Sequence, residues 1–154
     1  MVQIVQVQEA EEKKKISREV LESLEEWFGI PEAREEYIAK SADQLFWCAY
    51  DDGKIVGFLY LYETGKDTVE LYVMGVRKEY HRRGIGRTLF HAAYESAREN
   101  GYSFIQVKTV QMGRYEEYDR TNMFYLSLGF KEFEVFPTLW DAWNPCQVYV
   151  MAIK

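Results

Sequence analysis

Two cysteines in 154 residues are too few for a disulfide framework or a cysteine-based metal cluster. Cys48 and Cys146 lie in no recognisable nucleophile motif, and a reducing cytoplasm suits such a chain, with no metal expected. No apolar run approaches the roughly 20 residues that a membrane-spanning helix needs. The first residues also lack the basic-then-apolar order of a secretory signal, so no membrane partner is expected. Positive charge is in deficit: 19 Lys and Arg stand against 25 Asp and Glu, for a net charge of −6. A nucleic-acid partner would call for the opposite sign. The chain shows no internal repeat, low-complexity tract or interdomain linker, and its length suits one domain with its own core, residues 1–154.

Aromatic residues are plentiful, at 16%. Most such rings belong to a packed core, and some can line a site. Arginines gather where the rest of the chain is acidic. The run His81-Arg82-Arg83-Gly84-Ile85-Gly86-Arg87 follows an apolar stretch from Val69 to Val76 and opens an amphipathic segment that ends at Asn100-Gly101. A strand, a glycine-bearing loop and a helix in that order make an anion site. The first N–H groups of the helix lack intrahelical partners, and the helix dipole favours negative charge there. The loop therefore reads as a phosphate holder.

The spacing excludes two familiar phosphate binders. A P-loop needs four residues between its glycines and a Lys-Ser/Thr pair, and a dinucleotide fingerprint needs a third glycine where Leu89 stands. The longer run Val76-Arg77-Lys78-Glu79-Tyr80-His81-Arg82-Arg83-Gly84-Ile85-Gly86-Arg87-Thr88-Leu89 resembles the acyl-coenzyme A loop of the GNAT superfamily of N-acyltransferases. It departs from that pattern at His81, where Gln or Arg is usual. Asn122-Met123-Phe124-Tyr125-Leu126-Ser127-Leu128-Gly129-Phe130 resembles the superfamily's last helix. Phe136-Pro137-Thr138-Leu139-Trp140-Asp141 with Asn144-Pro145-Cys146 is similar to a C-terminal stretch of one subset of these proteins.

Periodicity supplies the organisation. Val2–Val7 alternates as a strand, and Ser17–Phe28 reads as a helix with Val20, Leu21, Leu24, Trp27 and Phe28 on one stripe. Pro31 suits the start of a second helix carrying Tyr37 and Ile38. Strands are expected at 45–50, 55–62 and 68–76, the first two around a hairpin turn at Asp51-Asp52-Gly53-Lys54. Ile85, Leu89, Ala93 and Ala97 form the buried stripe of the helix after the loop. A strand at 103–110, an acidic aromatic loop at 111–118 and a helix at 119–128 follow. Closing strands are expected at 130–136 and 147–153, separated by 137–145. A meander followed by a strand-helix-strand crossover predicts an α/β fold, a mixed central sheet flanked by about four helices. The order of elements resembles the GNAT fold over essentially the whole chain.

Acyl transfer from a thioester to an amine requires a base, a polarised carbonyl and a proton for the leaving thiolate. Glu70, a charged residue inside an apolar strand, is the candidate base, and a solvent-facing position is the other reading. The resemblance implies that Tyr125 protonates the thiolate while Asn122, three residues earlier on the same helix face, binds the pantetheine arm. A packed core tyrosine is the alternative there. It implies also that backbone donors around Met74-Gly75-Val76 polarise the carbonyl, although Gly75 could simply mark a bulge. His81, Arg82, Arg83, Gly84, Ile85, Gly86 and Arg87 would surround the pyrophosphate. Trp27, Phe28, Tyr37, Tyr115 and Trp140, near the carboxylates Glu116, Glu117 and Asp141, suit an organic cation as acceptor.

The resemblance therefore implies an acetyl-coenzyme A-dependent N-acetyltransferase acting by direct attack on the primary amine of a small cationic molecule. A protein or peptide N-acetyltransferase and a non-catalytic acyl-coenzyme A-binding module stay open, as does a homodimer.

Overall fold

A left-handed pair of residues, Asp52 at φ 48° and Gly53 at φ 85°, closes the first hairpin of the sheet. Turns of this kind match the twist of the strands they join, and an Asp-Gly pair adopts them at low cost. The computed structural model, which describes residues 1–154, carries that hairpin in one seven-stranded sheet. The strands are β1 (Val2–Val7), β2 (Leu45–Asp51), β3 (Lys54–Gly65), β4 (Thr68–Val76), β5 (Phe104–Val110), β6 (Lys131–Asp141) and β7 (Asn144–Ala152). Their spatial order is β1-β2-β3-β4-β5-β7-β6. All neighbours are antiparallel except β4 and β5, the parallel pair made by the crossover.

The helices are α1 (Ala10–Glu22), α2 (Glu25–Phe28), α3 (Pro31–Ser41), α4 (Ile85–Glu99) and α5 (Glu116–Leu128), with a 3₁₀ turn at Lys78–Tyr80. Side chains alternate across each strand, so one strand serves two cores. Phe58 and Tyr60 of β3 pack with Ile16, Val20 and Leu21 of α1. Leu59 and Leu61 pack on the other face with Leu89, Ala93 and Ala97 of α4. The expected stripe of α4 is fully buried.

Several expected boundaries are corrected. The helix expected over 17–28 begins at Ala10 and breaks after Glu22. Its first turns are hidden among charges, yet Lys13 is buried there and donates to the carbonyls of Ala42 and Gln44 at 3.3 and 2.7 Å. The break follows from Ser23, whose hydroxyl turns back to the Val20 carbonyl at 2.6 Å. Part of the acidic aromatic loop is helical, because α5 starts at Glu116, three residues before the expected Asp119. The closing strands are longer than expected: β6 runs on to Asp141 and β7 starts at Asn144, with Asp141 Oδ1 accepting from the backbone N–H groups of Trp143 and Asn144.

Candidate active site

The parallel pairing of β4 with β5 lasts for three residues, Thr68, Val69 and Glu70 against Phe104, Ile105 and Gln106. Beyond Gln106, β5 stays paired with β7, whereas β4 stays paired with β3. The two central strands part like a wedge. A cavity of about 1830 Å³ fills the gap, walled by β4, β5, α2, α5 and the loop before α4. The strand edges facing this gap present N–H and C=O groups that no neighbouring strand pairs.

Inside β4, the register slips between the pairs Tyr60–Val73 and Leu61–Leu71, leaving Tyr72 as a bulge. Gly75 is not the bulge. A Cβ there would lie 3.0 Å from both Leu24 Cδ1 and Val20 Cγ1, so the glycine lets α1 press against the strand. After the bulge, Met74, Gly75 and Val76 line the cavity.

The loop at the wide end has the geometry of an anion cradle. Gly84 stands at the N-cap of α4 with φ 76° and ψ 8°, and no side chain caps the helix. The amides of Ile85, Gly86 and Arg87 are thus free to donate. Gly86 has a second reason to be glycine: a Cβ would stand 3.1 Å from Phe124 Cζ on α5. Arg82, itself left-handed at φ 66°, and Arg87 line the cavity, and Arg87 also donates to Ser127 Oγ at 3.1 Å. His81 braces the loop, its Nε2 donating to the Val76 carbonyl at 2.6 Å and its ring set edge-on to Trp27. Arg83 departs from expectation. Its guanidinium stacks 4.9 Å from the Tyr80 ring centroid and is not part of the cavity wall.

At the narrow end stands Glu70, 5% exposed, which removes the solvent-facing reading. Burial pushes its carboxyl above the usual range, and the Lys108 ammonium, donating to Oε1 at 2.8 Å, partly offsets that. Tyr125 of α5 lines the same cavity, and burial drives its phenol far up, so it stays neutral. Its hydroxyl makes no hydrogen bond within the protein.

Asn122 overturns the expectation placed on it. Fully buried, it donates from Nδ2 to the carbonyls of Val110 and Tyr118 at 2.9 and 2.7 Å and accepts from the Tyr149 hydroxyl at 2.5 Å. Both of its N–H donors are used within the protein and the buried side chain does not line the cavity, so it is not placed to bind the pantetheine arm.

Trp27, Phe28, Tyr37, Tyr115 and Trp140 all line the cavity. Phe28, Tyr37 and Tyr72 form a chain of edge-on rings. Trp27 and Tyr118 clasp α2 to α5: Trp27 Nε1 donates to the Glu117 carbonyl at 3.3 Å, and the Tyr118 hydroxyl donates to the Trp27 carbonyl at 3.0 Å. Tyr118 of the acidic aromatic stretch lines the cavity too, as do Lys108, Tyr72 and Arg34, which sequence reasoning missed. For Lys108 a signal existed, a lone charge within the apolar alternation of β5. Both cysteines are buried, with their thiols pushed up to about 12 for Cys48 and about 11 for Cys146, so neither is a thiolate.

Residues 42–132 match a family model described as acetyltransferase (GNAT) domain. N-acetylaspartate synthetase of Xenopus tropicalis is 34% identical over 100 residues, 63% of this chain and 34% of that protein, so the chain spans about a third of the length of this curated relative. Among solved structures, an aminoglycoside 6′-N-acetyltransferase complexed with coenzyme A shares the fold at a TM-score of 0.79 and 17% identity, covering 99% of this chain and 97% of that one. The ribosomal-protein-S18-alanine N-acetyltransferase from Escherichia coli does so at 0.77 and 16%, covering 100% and 95%.

Proposed function

Because the chain belongs to the GNAT acetyltransferase family, we propose that it transfers the acetyl group of acetyl-coenzyme A to the primary amine of a small cationic molecule. The observation that carries this reading is the wedge between β4 and β5, which has an anion cradle at its wide end and a buried carboxylate at its narrow end. The thioester supplies an activated acyl carbonyl, and the chain's own residues do the rest. The amides of Ile85, Gly86 and Arg87, with Arg82 and Arg87, hold the pyrophosphate. Backbone donors on the free edge of β4 near Met74 and Val76 polarise the carbonyl. Glu70 accepts the proton of the incoming ammonium, and the Tyr125 phenol gives one to the departing sulfur. The buried thiols favour direct attack over a covalent enzyme intermediate. Rings from Phe28, Tyr37 and Tyr115 beside Glu116, Glu117 and Asp141 suit a cationic acceptor.

An amino-acid acceptor is the second reading. It is favoured by the curated relative, whose name assigns it N-acetylaspartate synthesis, and by Arg34 on the cavity wall, whose buried Nε has no partner in the protein. The test is release of coenzyme A from acetyl-coenzyme A across polyamines, aminoglycosides, amino acids including aspartate, and peptides, with Glu70→Gln alongside. Turnover confined to cationic amines and lost in the variant supports the first reading. Turnover of aspartate supports the second, turnover of peptides alone would favour a protein substrate, and coenzyme A binding without any transfer would leave a binding module.

A further inference from the structure

Among the groups of the cavity, Lys108 does the least explained thing: it occupies one oxygen of the carboxylate proposed as base. Lys108 Nζ donates to Glu70 Oε1 at 2.8 Å, and the two side chains are 28% and 6% exposed. The other oxygen, Oε2, has no partner in the protein and is not sealed from solvent, so it opens to the cavity. The pair sits just inside the apex of the wedge, where β4 and β5 cease to be neighbours after Glu70 and Gln106.

We infer that Lys108 is a positioning residue for Glu70: it clamps Oε1, keeps the carboxylate ionised in its buried site and leaves Oε2 as the oxygen that takes the proton from the acceptor. The inference rests on the reading of Glu70 as base. Its physical content is a competition. Burial alone would hold a carboxyl protonated and useless as a base, and an ammonium at hydrogen-bond distance opposes that. No other cation competes for the role. Lys40 on α3 is the second cation near Glu70, but it is engaged elsewhere, 4.2 and 4.7 Å above the rings of Tyr62 and Tyr72 and donating to the Tyr72 hydroxyl at 3.4 Å. The remaining titratable groups that face Glu70 are Tyr37 of α3, Tyr60 of β3, Tyr125 of α5 and Cys146 of β7. Burial raises all four, so they stay neutral and supply no counter-charge.

A carbon-13 NMR titration of the full chain with labelled glutamate tests this without an acceptor, Glu70→Gln assigning the signal. Lys108→Met, which keeps the length of the stem, should raise the Glu70 midpoint by about 1 to 3 pH units. Lys108→Arg should restore it. With any amine that turns over, the acid limb of kcat/KM should move upward in the same order. A Glu70 midpoint unmoved in a folded Lys108→Met protein overturns the inference, and so does an arginine variant that behaves like methionine. Should Lys108→Met fail to fold, Lys108→Gln takes its place with the same two outcomes. Absence of turnover with every amine would count against Glu70 as a base, whereas the NMR midpoint bears on the clamp itself.

Discussion

The Tyr149 hydroxyl donates to Asn122 Oδ1 at 2.5 Å, and this contact joins the inner strand of the closing hairpin, β7, to the helix that carries Tyr125. Asn122 completes the junction by donating to Val110 at the end of β5 and to Tyr118 one turn back in α5. A single amide thus ties α5 to β5 and β7 and sets where the helix lies along the wedge. Tyr125, three residues on, meets the cavity as a result. Asn122→Ala would leave the buried Tyr149 phenol without its acceptor and take a donor from the Val110 carbonyl, whereas the Tyr118 carbonyl keeps its backbone bond within α5. It should cost about 2 to 3 kcal/mol in urea unfolding and should lower kcat more than coenzyme A affinity.

Tyr125 itself should behave oppositely. Its hydroxyl has no partner in the protein, so Tyr125→Phe orphans nothing and should leave the thermal midpoint within about one degree of wild type. Turnover should fall by roughly 100-fold or more if the phenol is the acid, with coenzyme A affinity by calorimetry unchanged. Equal turnover in both proteins would return Tyr125 to the core.

The two loop glycines should fail for different reasons. At Gly84 there is open space, and only the left-handed backbone penalises a side chain, so Gly84→Ala should cost about 1 to 2 kcal/mol of stability. At Gly86 the obstacle is the Phe124 ring, 3.1 Å away from an added Cβ. Gly86→Val should therefore be partly rescued by Phe124→Leu, and Gly84→Ala should not. Thermal unfolding of the double variants would show the difference, and calorimetry should find coenzyme A binding weakened in both single variants.

Burial of Glu70 carries a pH signature with a definite sign. Its folded-state pKa lies above the unfolded one, so the folded chain holds the proton more tightly. This group's contribution to stability is therefore present below the ordinary glutamate pKa of about 4.3 and is lost as pH rises through the folded value. Activity runs the other way. The acid limb of kcat/KM should fall above about pH 4.3, because protonated Glu70 cannot act as a base. A limb at or below that pH would remove Glu70 from the role.

Much of the fold is legible in the sequence. The strands at 2–7 and 68–76 agree in full with the structure, and so do the Pro31 start, the Asp-Gly hairpin and the α4 stripe. Each announces itself through local chemistry: alternation, a fixed proline φ, a left-handed pair, a four-residue repeat. The start of α1 is hidden because its charged residues carry no apolar period. One of them, Lys13, is buried only because two carbonyls from the end of α3 and beyond arrive to meet it. The glycine loop is legible for the same local reason as the hairpin, since its need for free amides and a left-handed backbone is written in adjacent residues.

The sequence by itself determined most of the order of strands and helices, the place of the glycine loop between β4 and α4, and that a carboxylate and a phenol stand on elements near it. Tertiary structure alone decided what those side chains touch. Asn122 proved to be a buried joint, Arg83 stacked on Tyr80 away from the cavity, and Lys108 reached Glu70 across the parting strands. Periodicity reports whether a side chain faces core or solvent, because that depends on neighbours a few residues away. A hydrogen-bond or ion-pair partner on another element is chosen by the packing of strands and helices in space, which no local pattern records.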